Sequence, residues 1–227
     1  MSSAARGGAR NPLHFTQLLG GAENAMHDWT RVDPNEYRSF HGSWVCALYD
    51  ALNAGLLPAG YYAMVDYSGQ TLRPRTRRVS VCTITPRRHT VVAIVEIVSP
   101  SNKAKRSELR DFVGKVTGAL DTGVHVLVID PFPPGPHDPE GIHGVVWRAL
   151  TGRPFELPED KPLTLAAYEA QSAAKVGAFV EPVAVGDALR DMPLFLSPDA
   201  YVNAPLEATY QTAWAAFPAT LLAEVAP

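Results

Sequence analysis

Cysteine is almost absent: Cys46 and Cys82 are the two in 227 residues. Both lie among apolar residues without metal-ligand spacing. That argues against a disulfide scaffold or a zinc knot and reads them as small buried hydrophobes of a reduced, cytoplasmic protein. No apolar run is long enough to span a bilayer. Residues 1–25 are rich in Ala, Gly and Arg and lack the apolar core and cleavage site of a secretory signal. They read as a disordered tail, with an organelle transit peptide as the alternative and Met26 as a candidate start, because patterned sequence begins there. There is no Gly-rich phosphate loop, no G-x-S-x-G nucleophile motif and no internal repeat. Charged residues make up 19% with a net charge of −3, which argues against a generic nucleic-acid coat.

The charge that is present is segregated. Residues 73–115 hold eleven of the twenty Lys and Arg: Arg73, Arg75, Arg77, Arg78, Arg87, Arg88, Lys103, Lys105, Arg106, Arg110 and Lys115. Glu96, Glu108 and Asp111 oppose them, leaving +8 in the window and −11 elsewhere. Such a window fits a face that binds an anion such as DNA. It fits equally an edge strand that carries charge to prevent aggregation.

Within that window, Thr90–Ala104 reads TVVAIVEIVSPSNKA. Seven of the eight residues from Val91 to Val98 are aliphatic, the composition of a fully buried strand. The eighth is Glu96. A carboxylate buried there must be paired, protonated or bound to a cation. Ser99-Pro100 ends the strand, and Ser101-Asn102-Lys103 brings helix-capping residues and a cation.

Around this strand the pattern predicts a mixed α/β domain over 26–217, followed by a C-terminal tail at 218–227. Asp33-Pro34 starts a helix over about Asn35–Leu56, with Phe40, Trp44, Leu48 and Leu52 at four-residue spacing. Strands follow at Tyr61–Tyr67 and Arg77–Thr85, and Pro86–His89 turns the second into the buried strand as a hairpin. Leu109, Phe112, Val113, Val116 and Leu120 form one helical stripe, and Val124–Ile129 is a further aliphatic strand. Strand, helix and strand make a βαβ unit with parallel neighbours. A Pro- and Gly-rich loop covers 132–144, and a short helical or extended piece lies near Val145–Leu150. Late strands are expected at Phe179–Val185 and Leu194–Leu196, and a helix at Leu206–Phe217.

Several stretches carry a family resemblance. HDW at 27–29, FHGSW at 40–44, LNAGLLPAGYYA at 52–63, VEIVSPSNK at 95–103, DPFPPGPHDPEGIH at 130–143, FVEPVAVGD at 179–187 and DMPLFL at 191–196 resemble the uncharacterised bacterial family DUF4058. The segment from Glu96 through Lys115 to Asp130-Pro131 is similar to Uma-type endonuclease-like proteins. The resemblance implies a restriction-endonuclease-like core of the PD-(D/E)XK type, with a hairpin, a βαβ unit and flanking helices. In such nucleases an Asp and a Glu hold Mg²⁺, and a lysine orients or polarises the attacking water. Carried over, Glu96 and Asp66 are the metal ligands, and Lys103 or Lys115 serves the water. Two positions depart from the pattern: residue 98 is Val98 where the lysine is expected, and YSGQTLRPRTRRV over 67–79 holds no acid where a Pro-Asp is expected.

Each candidate has a structural competitor. Glu96 can pair with a hairpin arginine, Lys115 can snorkel beside the apolar stripe, Lys103 can be a helix-start residue, and Asp66 a surface strand-end acid. His137, Asp138, Glu140 and His143 are zinc-ligand types but lack pre-forming helical spacing. Two functions follow: a degenerate nuclease relative acting as a nucleic-acid- or protein-binding module, or an active Mg²⁺-dependent DNA phosphodiesterase using Glu96 and Asp66.

Overall fold

The first helix starts where its sequence provides caps. Asp33 accepts from the Asn35 amide at 2.8 Å, and Glu36 accepts from the Asp33 amide at 3.0 Å. These two bonds satisfy donors that a helix start leaves open. The computed structural model describes residues 26–67, 77–85, 88–172 and 175–218, with 220 and 225. The segment read as an N-terminal tail, the basic residues Arg73, Arg75 and Arg87, the side chains of Arg77 and Arg88, and most of 218–227 lie outside the described residues.

Helix α1 (Pro34–Ala51) leads through a wide turn at Leu52–Leu56, where Gly55 sits at φ +108°, into β1 (Tyr61–Tyr67). Then come β2 (Arg77–Thr85), β3 (Arg88–Ile97), the single turn α2 (Pro100–Lys103), α3 (Arg106–Asp121) and β4 (His125–Asp130). Helix α4 (Gly141–Thr151) precedes β5 (Leu163–Ser172), β6 (Lys175–Val183), β7 (Met192–Ser197), β8 (Ala200–Ala204) and α5 (Leu206–Ala215). The chain is thus mixed α/β. Strands β1 to β6 form one sheet in sequence order, and β7–β8 a separate hairpin. Every neighbouring pair in the large sheet is antiparallel except β3–β4, which the α2–α3 crossover makes parallel.

The sheet has two covered faces. Val79, Val81, Ala93, Val95, Ile97, Leu127 and Ile129 join α1, α5 and the small hairpin in the larger core. Ile94, Val98, Val126, Val128 and Tyr168 pack with α3 and α4 in the second. Alternation along β3 therefore sends Glu96 to the α3 face. Tyr37 and His41 of α1 close the strand's far end: the Tyr37 hydroxyl donates to Val98 O at 2.8 Å, and His41 Nε2 lies 3.0 Å from Ile97 O.

Three expectations need correction. Strand β5 was absent from the pattern, because LTLAAYEAQS is rich in helix-forming Ala, Glu and Gln; pairing between β4 and β6 overrides that local preference. Residues 145–150 belong to a full helix beginning at Gly141. Strand β6 runs from Lys175 to Val183 instead of 179–185.

Two histidines pair with tyrosines and are held neutral by burial. Tyr210 Oη accepts from the His27 amide and from Trp29 Nε1, both at 3.1 Å, which leaves its own proton for His27 Nδ1 at 2.8 Å. His143 Nδ1 pairs with Tyr168 Oη at 2.6 Å. Burial lowers both histidines to about 4. The unfolded chain therefore takes up these protons first as pH falls below the ordinary value of about 6.5. Stability is full above that value and is lost between about 6.5 and 4, by about 2–3 kcal/mol per histidine. Urea midpoints should fall from pH 7 to pH 4.5, and His143→Gln should flatten part of that slope. Equal midpoints at the two pH values would contradict the neutral pairing.

Candidate functional site

Glu96 has no solvent exposure, so its charge must be answered inside the protein. Strand pairing supplies the first partner. Tight pairing from Thr85↔Arg88 to Cys82↔Val91 would, if continued, set Arg77 opposite Glu96. Val92 is an extra residue in β3, and beyond it the register moves to Val81↔Ala93 and Val79↔Val95. A one-residue bulge thus brings Arg78, in place of Arg77, beside Glu96. Arg78 also stands opposite Asp66 on β1.

The result is a row of charges across three strands. Arg78 Nε lies 3.0 Å from Asp66 Oδ2, and Arg78 Nη1 lies 3.5 Å from Glu96 Oε1. Ser80 Oγ donates to the same Asp66 oxygen at 2.5 Å. From above, Lys115 of α3 puts its amine 2.9 Å from Glu96 Oε2 and 5.4 Å from the centre of the Phe112 ring. Arg78, Asp66 and Lys115 are each about a third exposed, at 27%, 33% and 32% of their side chains. The buried acid is therefore reached from solvent only past its partners.

This geometry bears directly on Mg²⁺. The ion needs oxygens at about 2.0–2.1 Å in an octahedral shell. Here the space between the two acids is filled by a guanidinium, and both Glu96 oxygens already face cations. Two acids and two bases also leave no excess negative charge to draw in a divalent ion. Among the described residues, no group of three or more His, Cys, Asp and Glu gathers in a form that could hold a metal. The residues present do not fit Mg²⁺.

Lys103 is a correction. It does not join Glu96. Its amine lies 3.0 Å from Asp130 Oδ2, 2.9 Å from Asp138 Oδ2, 2.9 Å from Phe132 O and 2.8 Å from Pro133 O. Asp130 Oδ1 accepts from the Phe132 amide at 3.2 Å, and Asp138 Oδ1 from the Gly135 amide at 2.9 Å. This buried triad staples the Pro-rich loop to the end of β4. Burial pushes Asp130 up to about 6, against the pull of Lys103 and with the help of Asp138. A raised carboxyl gains stability as pH falls from about 6 towards 4, so Asp130 offsets part of the histidine effect.

Lys115 is the lysine that reaches Glu96, and it is not a surface lysine lying along the stripe. The zinc-type residues are separated in their roles. Asp138 serves Lys103, Glu140 pairs with Arg148, and His143 pairs with Tyr168. Arg78, which bridges Asp66 and Glu96, is not singled out by the sequence alone. Pairing the hairpin outward from Pro86-Arg87 narrows the choice to Arg77 or Arg78, and the bulge decides it.

No protein-family model, no curated protein and no solved structure matches the chain.

Replacing Lys103 with Met should leave two buried aspartates unpaired and cost about 3–5 kcal/mol. A thermal or urea melt measures it. A loss below about 1 kcal/mol would show that the triad does not hold the loop.

Proposed function

We propose that this chain is a DUF4058-like domain on a restriction-endonuclease-like core whose metal site has been replaced by internal ion pairs, and that it acts as a binding module. One observation carries the reading: Arg78 bridges Asp66 and Glu96. In PD-(D/E)XK nucleases the strand preceding the glutamate contributes the second metal ligand. Here that strand, β2, presents an arginine beside the glutamate. Val98 stands where the lysine of the half-motif is expected, and Lys115 comes from a helix to reach the acid instead.

The β2–β3 hairpin, the unit of β3, α3 and β4, and the flanking helices support the core assignment, since these are the features the resemblance implies. The unpaired cysteines accord with a cytoplasmic protein. No helix among the described residues is long and apolar enough to cross a membrane. The basic window is weaker as a DNA surface than its count suggests, because Arg78, Lys103 and Lys115 are engaged within the fold. Among the described residues, the exposed cations left in it are Lys105, Arg106 and Arg110, at the start of α3.

The active-nuclease alternative makes opposite predictions. On the binding-module reading, Mg²⁺ leaves the melting temperature of the parent unchanged and stimulates no DNA cleavage. Glu96→Gln leaves Arg78 and Lys115 facing a neutral amide. Because both cations reach solvent, the cost should be about 2 kcal/mol, below that of a fully buried pair. Melts of parent and variant with and without MgCl2, beside a plasmid-cleavage assay, decide the matter. Stabilisation of the parent but not the variant by Mg²⁺, with cleavage lost in the variant, would establish the nuclease.

A further inference from the structure

Arg106 and Arg110 stand one turn apart on α3, and neither meets an acid among the described residues. Leu109 and Val113 share that side of the helix, whereas Glu108, Asp111 and Lys115 project from the opposite one. Facing the arginines, the loop after β4 brings Pro136, His137 and Pro139, and α4 brings Val145. Together they enclose an open groove of about 450 Å³ with an aliphatic floor and a cationic rim.

A further feature points to an anionic occupant. Lys105 and Arg106 occupy the N-cap and first position of a 16-residue helix with no side-chain cap, where cations oppose the helix dipole. A stretch that works against its own helix fits a surface built for a partner.

We propose that this groove binds an extended acidic segment of a partner protein. Carboxylates at alternate positions of the segment, which share one face of an extended chain, meet Arg106 and Arg110. Alternate residues of an extended chain lie about 6.8 Å apart. That matches the spacing of about 6 Å between helix positions one turn apart. Guanidinium forks suit carboxylates. The groove suits nucleic acid less well: no Phe, Tyr or Trp lines it to stack a base, and two arginines fall short of the phosphate contacts that drive such binding.

This inference rests on the binding-module reading, but its test does not involve the Glu96 cluster. The whole chain is titrated against a fluorescein-labelled nonapeptide alternating glutamate with leucine, and anisotropy is read. Saturable binding is expected, weakened at least about tenfold by Arg106→Glu with Arg110→Glu and by glutamine in place of glutamate in the peptide. Both substituted positions are exposed, and an unchanged melt shows that the variant is folded. The proposal is overturned by absent saturable binding, by equal affinity in the double variant, or by equal affinity for the glutamine peptide. An oligothymidylate of equal charge that binds more tightly overturns it in favour of a nucleic-acid surface. If peptide binding fails while Mg²⁺ remains without effect, the inference falls and the binding-module reading stands; a Mg²⁺ effect removes that reading itself.

Discussion

A carboxylate placed in the middle of a core strand imposes demands on everything around it. Glu96 lies between Val95 and Ile97, on a strand paired on both sides and covered by α3, with no exposure. Left alone its charge would cost several kcal/mol. The protein answers with two cations from different directions: Arg78 along the sheet and Lys115 down from the helix. Each fixes more than charge. Arg78 ties β1 to β3 through Asp66, and Lys115 sets how α3 lies over the parallel pair. A buried ion pair is weak evidence of stability in itself; its value here is in specifying which elements meet.

The second buried cluster works the same way on the same sheet face. Lys103 closes a turn of helix, and the groups it holds belong to the end of β4 and to the loop beyond. The C-terminal end of the β3–β4 pair is therefore pinned by three side chains. Tyr37 and His41 hold β3, and Lys103 holds the loop. In open sheets, such ends are where ligands commonly bind. Here the pair's end is occupied by the protein's own side chains, while the unmatched charges lie a short way off, at the start of α3.

How much of this was legible depended on whether the signal was local. The α1 cap, the aliphatic runs of β3 and β4 and the stripe of α3 are written in neighbouring residues, and the structure places elements there. Strand β5 was not legible, since its Ala-rich sequence becomes a strand through the partners on either side. Glu96 stood out because a charge in an apolar run has few explanations, and a hairpin arginine was among them. Which arginine depended on a single bulge. The Lys103 triad joins residues 27 and 35 positions apart through a loop of proline and glycine, where no periodicity exists to read.

Arg78 lies between Asp66 and Glu96, and on the proposed reading it holds the place where a nuclease would hold its metal. Anomalous diffraction from crystals soaked in Mn²⁺ tests it most directly. The account predicts guanidinium density between the two carboxylates and no manganese peak there. A manganese peak bonded to both Asp66 and Glu96, with Arg78 swung away, would contradict it.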